Sequence, residues 1–261
     1  MPTHVFPTMG TMVSLAVAGG PVPGAGLARL TALFTAWDDR YSLYRPASEL
    51  SRIASGELSL LDASDHLRDS YRIALDWRDR TDGDFSPHRP DGVLDLSGVV
   101  KALAMAEAAA ALLADGFTDW SLDVGGDILV HGDATPGQPW VVGIVDPDDR
   151  SALLTAIELD AARPALATSG SAERGDHIWR ARRAADEGFR QVSVRAADIV
   201  TADVLATTIV AGGPAALDRV TERWPVDVAT VSPSGEIRMT PGMRAAMERA
   251  ATTSSQPPAA R

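Results

Sequence analysis

"DLSGVVKALAMAEAAAALLADGFTDWSLDVGGDILVHG", residues 95–132, passes from a helical pattern to an alternating one within a few residues. The run VVKALAMAEAAAALLA has helical apolar spacing, and Gly116 stands just past its end, where a left-handed residue closes a helix. Next, "WSLDV" and "ILVHG" flank the turn "GGD" at 125–127, the arrangement of two strands joined tightly. A helix followed by a strand pair is not regular βαβ alternation. The stretch predicts an α+β fold in which mixed or antiparallel sheets pack against helices.

Outward from it, the same reading extends over the chain. "GTMVSLAV" (10–17), "WVVGIVDP", "LLTAIEL", "ALATSG" and part of "QVSVRAADIV" (191–200) are predicted strands, and "VDVATVSPSGEIRM" a hairpin. "LARLTALFTAWDDRYS" (27–42) and "DHLRDSYRIALDWRDRTDG" (65–83) are predicted helices, the second closed by Gly83. Pro46 stops one element and Ser48 caps the next. A short strand at "VLD" is expected to lead into the helix after "DLSG". "TADVLATTIVAGG" (201–213), "PAALDRVTERW" and "GMRAAMERAA" complete the helices. Residues 1–251 are expected to form one domain, or two closely packed lobes, and 252–261 a disordered tail.

Composition narrows the function. A formal charge of −11 argues against nucleic-acid binding, which needs clustered Lys and Arg to neutralise phosphates. Absence of cysteine removes disulfides, thiolate metal sites and a cysteine nucleophile. The start has no basic segment and no long apolar span, so a cytoplasmic protein without membrane insertion is expected. Such an acidic chain can hold an anionic small molecule only through local positive elements: a metal, helix amino termini or glycine-lined backbone.

Asp203 and Thr207 stand four apart, on one face of a helix, with Cβ atoms roughly 6 Å apart. They read either as a helix cap (Thr201 or Asp203) with a back-bonded threonine, or as two oxygen ligands for a hard cation such as Mg²⁺. Ser97 and Gly98 open a helix with Lys101 one turn inside. This is an anion-binding start or a serine-capped helix with a solvated lysine. Asp127 belongs to a turn between strands, and Thr168, Ser169 and Gly170 to a hydroxyl-rich turn that suits phosphate or ribose. His177 is structural or a general base.

In their order, "TMGT", "YSLYRPASELSRI", "TDGDFSP", "DLSGVVKALA", "LDVGGDILVHG", "ATSGSAER" with His177 after it, and "TADVLATT" resemble the FAD:protein FMN transferases, the ApbE family. The resemblance runs from about Thr8 to about Gly213. It implies a Mg²⁺-dependent enzyme that moves the FMN part of FAD onto a threonine or serine of an acceptor protein and releases AMP. By the same matching, Asp203, Thr207 and the main-chain oxygen of Gly98 would hold the metal. Met9, Tyr44, Asp84, Phe85, Ser86, Asp95 and Lys101 would contact FAD, Asp127 and Thr168–Gly170 would shape its pocket, and His177 would be the base. The chain departs from the family pattern where His177 opens "HIWRARRAADEGFRQ" instead of H-I-I-D-P-x-T-G, at Ala102 where glycine is common, and at His88 where threonine is usual. Two further functions share these residues: an FAD pyrophosphatase with water as nucleophile, and a flavin-binding homologue without transfer.

Overall fold

The computed structural model describes residues 1–170 and 188–254. Strands β1 (Thr3–Thr8) and β2 (Thr11–Val17) form a hairpin, followed by helices α1 (Gly24–Tyr41), α2 (Glu49–Ala54) and α3 (Asp65–Arg80). Helix α4 (Ser97–Ala114) leads into the hairpin β3 (Trp120–Val124) and β4 (Asp127–His131). A second hairpin, β5 (Trp140–Val145) and β6 (Leu153–Leu159), precedes β7 (Ala165–Gly170) and β8 (Gln191–Ala196). Helix α5 (Ile199–Arg223), β9 (Asp227–Val231), β10 (Ile237–Met239) and α6 (Pro241–Ser254) complete the order.

Eight strands make one sheet in the order β1-β2-β3-β4-β7-β8-β9-β10, every neighbour antiparallel, while β5 and β6 pair separately. The α+β expectation holds. Alternate residues of each strand face opposite ways, and here both faces are covered. Leu129, Ala165, Ala167, Val192, Val194 and Val228 join the core formed with α1, α3, α4 and α5. Ile128, Val130, Leu166 and Ala229 meet the β5–β6 hairpin and α6 on the other side. This explains why β4 carries the unbroken run Ile128–Leu129–Val130. Each fully buried Leu, Ile or Phe contributes about 1.5–3 kcal/mol relative to exposure.

Local chemistry sets the element ends. Ser48 Oγ accepts from Ser51 N at 3.0 Å, as the sequence predicts, and Ser64 Oγ from Leu67 N at 3.3 Å. Gly125 and Gly126 occupy the two-residue β3–β4 turn with φ of 62° and 90°, values a side chain resists. Several expectations need correction. No strand forms at "VLD"; Leu94 only bridges His88 across a tight turn. Ser97 does not cap α4: Asp95 Oδ1, two residues earlier, accepts from Ser97 N at 2.9 Å. By contrast, "TADVLATTIVAGG" and "PAALDRVTERW" are two helical stretches, as expected: α5 breaks at Gly213 (φ 64°, ψ −153°), and Pro214 opens its second part, where a missing N–H costs least. Helix α6 runs to Ser254, three residues into the expected tail. Helices α4 and α5 are long and apolar enough to cross a bilayer, but they pack against each other and α5 lies against β7 and β8.

Candidate active site

A cavity of about 430 Å³ is walled by the β1–β2 turn, the chain after α1, and the start of α4. That size suits a small-molecule ligand. Four of the expected FAD contacts, Met9, Tyr44, Asp95 and Lys101, share this wall. Met9 and Gly10 form the hairpin turn with φ of 48° and 70°. A methionine in the left-handed region is uncommon and is held there by the ladder on either side. Tyr44 is 84% exposed and presents its ring to solvent at the mouth.

From Lys101 a polar chain leaves the cavity for the sheet. Lys101, the only lysine in the chain, is buried and ion-paired to Asp127 Oδ2. Asp127 is fully buried on the helix-facing side of β4, and its Oδ1 accepts from Thr168 N at 3.0 Å. The next residue on β7, Ser169, lies 3.2 Å from Thr207, hydroxyl to hydroxyl. The solvated alternative for Lys101 is therefore excluded. Asp127 lies within β4, not in the turn as the sequence suggests, and joins α4 to β7.

On α5 the two bland readings of the Asp203–Thr207 pair also fail. The cap is Asp198, whose Oδ1 accepts from Thr201 N at 2.8 Å. The back-bonded threonine is Thr208, donating to Val204 O at 2.7 Å, while Thr207 is half-buried and faces Ser169. Asp203, one turn before Thr207, is 5% exposed, deep for a carboxylate. Gly98, in the first turn of α4, packs against Phe85: a Cβ there would come within 2.9 Å of the ring. Among the described residues no three His, Asp or Glu side chains are placed to share an ion. The available donors are instead one carboxylate, neighbouring hydroxyls and main-chain oxygens. That set fits Mg²⁺, which takes oxygen ligands and few protein carboxylates.

A model of the ApbE family matches residues 86–231, more than half of the chain. The chain belongs to the ApbE family. Among its relatives, the FAD:protein FMN transferase of Rhodobacter capsulatus is 34% identical over 167 residues, which cover 59% of this chain and 31% of that protein. The ApbE protein of Thermotoga maritima superposes with a TM-score of 0.76 at 19% identity, over 94% of this chain and 99% of that one. The flavin transferase ApbE of Vibrio cholerae gives 0.71 at 22%, covering 94% and 98%. The flavinyl transferase ApbE of Pseudomonas stutzeri, in its apo form, gives 0.75 at 20%, covering 94% and 97%. At such identities the solved structures establish the ApbE fold.

The remaining motif residues are placed differently in this ApbE chain. Phe85 is 3% exposed and supports Gly98 from the interior. Asp84 pairs with Arg219 of α5 beside the kink, and Ser86 Oγ accepts from His88 N at 3.1 Å. Thr168, Ser169 and Gly170 lie in strand β7, paired with β8, and not in a turn as the sequence suggests; a Cβ at Gly170 would meet Arg190 O at 2.7 Å. His177 lies outside the described residues. The cavity also uses Ser97, at the start of α4, and Asp38, Tyr41 and Arg89, to which the sequence reading assigns no role.

Tyr41 is the most constrained of these. Its hydroxyl lies 2.6 Å from Ser70 Oγ and 2.7 Å from His66 Nδ1, and its ring stacks on Trp37 at 5.0 Å. Burial pushes its pKa up to about 12, against a smaller lowering by the Ser70 hydrogen bond. A folded-state pKa above the unfolded value of about 10 means that the native state holds this proton more tightly. The stabilisation is complete below pH ~10 and is lost as pH climbs towards ~12, by about 2 kcal/mol. Urea unfolding of wild type and Tyr41→Phe across that window is expected to show the extra loss in wild type alone.

Proposed function

We propose that this chain transfers the FMN moiety of FAD to a threonine or serine hydroxyl of an acceptor protein, releasing AMP, with Mg²⁺ as its metal. The observation that carries this reading is the polar chain from the cavity through Lys101, Asp127 and the Thr168–Ser169 segment of β7 to Thr207. It ties a nucleotide-sized cavity to the α5 turn whose oxygens fit a hard cation.

In this reading the cavity holds FAD, with Tyr44 and Met9 at its wall and the amino-terminal turn of α4 near the phosphates. Free N–H groups at a helix start favour an anion that an acidic protein would otherwise repel. Asp203, Thr207 and the main-chain oxygen of Gly98 would hold the ion, which when bound supplies positive charge to the diphosphate oxygens. The Ser169 hydroxyl orients Thr207, and the Asp127–Lys101 pair fixes the distance between β4 and α4. The acceptor's hydroxyl oxygen bonds to the FMN phosphorus as the bond to the AMP oxygen breaks. The hydroxyl proton passes to a base, a role suited to His177, and AMP leaves as its phosphate.

The test mixes the purified protein with FAD, Mg²⁺ and threonine-containing candidate acceptors, following AMP and acceptor fluorescence. AMP together with a fluorescent acceptor is the expected result. AMP with free FMN would make the protein a hydrolase, and bound flavin without AMP would end the catalytic reading.

A further inference from the structure

The cavity contains a second basic residue, Arg89, outside every motif used above. It sits in a tight turn that fixes its backbone at both ends: Arg89 N donates to Val93 O at 2.9 Å, and Arg89 O accepts from Gly92 N at 2.9 Å. Gly92 closes the turn at φ 84°, and Asp95 N, donating to Pro87 O at 2.8 Å, ties it to the start of α4. His88, next in line, lies 3.1 Å from the Tyr71 hydroxyl of α3. The arginine is thus delivered to the cavity wall from a rigid support rather than a loose loop.

The charges around the cavity are unequal in what they can offer a ligand. Lys101 is committed to Asp127, buried on both sides of the pair. Asp38 is held by Arg45 at 2.7 Å, and Asp95 by the backbone of Ser97. The Arg89 guanidinium pairs with Asp91 at 3.1 Å, but that carboxylate is 53% exposed on its own turn. Exposed pairs are weak and exchange readily for a better anion. A guanidinium also matches phosphate oxygens with two parallel N–H donors, which an ammonium cannot do.

We infer that Arg89 is the specificity-determining cation of this cavity and grips the phosphate of a nucleotide there, exchanging Asp91 for it. The inference rests on the FAD reading of the same site and adds the residue that makes the cavity select phosphorylated over unphosphorylated ligands.

Binding of FAD, ADP and adenosine to the full chain, by calorimetry with and without Mg²⁺, tests it. Arg89→Ala is expected to weaken FAD and ADP about ten- to a hundred-fold and to leave adenosine unchanged, with Arg89→Lys in between. Asp91→Asn, which keeps the turn's acceptor but drops the competing charge, is expected to bind ADP at least as tightly as wild type. Unchanged ADP affinity in Arg89→Ala overturns the inference while leaving the FAD reading intact. Equal losses for adenosine and ADP, or a loss in Asp91→Asn matching that of Arg89→Ala, overturn it as well, since the turn would then act through shape alone. Wild-type protein that binds neither FAD nor ADP removes both. Arg89-dependent ADP binding without any flavin transfer would sustain the inference and remove only the transferase reading.

Discussion

Asp203→Ala is expected to remove flavin transfer, by a factor of about a thousand or more, while the protein remains folded. An ion on the diphosphate is worth several kcal/mol to the transition state, and each 1.4 kcal/mol is about tenfold in rate. Asp203 is the only carboxylate in the proposed ligand set, so its loss leaves two neutral oxygens for a hard cation. Alanine is the best helix former, and the site is in the interior of α5, so backbone strain is not expected. Asp203→Asn, similar in shape but uncharged, is expected to lose most of the activity and to regain some of it at high Mg²⁺. Circular dichroism and single-turnover AMP release check both. Full activity in Asp203→Ala would take the metal away from α5.

The second large effect concerns stability. Lys101→Met strands the Asp127 carboxylate, fully buried, with the Thr168 N–H at 3.0 Å as its one remaining hydrogen-bond partner among the described residues. Breaking a buried pair by removing one member costs about 3–5 kcal/mol, more than the net worth of the pair itself, because the survivor stays desolvated. Urea unfolding should show that loss. Lys101→Met with Asp127→Asn removes both charges and keeps an acceptor for Thr168, and is expected to recover more than half of it. A single variant within about 1 kcal/mol of wild type would mean that water reaches Asp127 after all.

These two residues also mark the boundary of what a sequence can reveal. The β3–β4 hairpin and the Ser48 cap are legible because their signals are local: a turn that demands glycine and a hydroxyl three residues from an orphan N–H. The Asp203–Thr207 face is legible for the same reason, since four residues span one helical turn. The partners are not legible. Lys101 finds Asp127 only because β4 brings that carboxylate beneath α4, and Asp84 meets Arg219 across 135 positions. The β8 alternation "QVSVRA" marks a strand, but its polar face looks solvent-ready. In the fold Arg195 is 1% exposed and bonded to Asp227 and Asp160 at 2.9 and 2.5 Å. β1 is missed for a further reason: it is an edge strand containing Pro7, a residue tolerated there because an edge leaves some N–H groups unpaired. Arg89 carries no motif, and only the closure of a five-residue turn puts it on the cavity wall.

With its sole ε-amine walled in, the native chain offers acylating reagents no lysine to attack; every other basic side chain is guanidinium or imidazole. Covalent labelling at position 101 would then proceed only when the α4–β4 junction parts, so its rate times how often that junction opens.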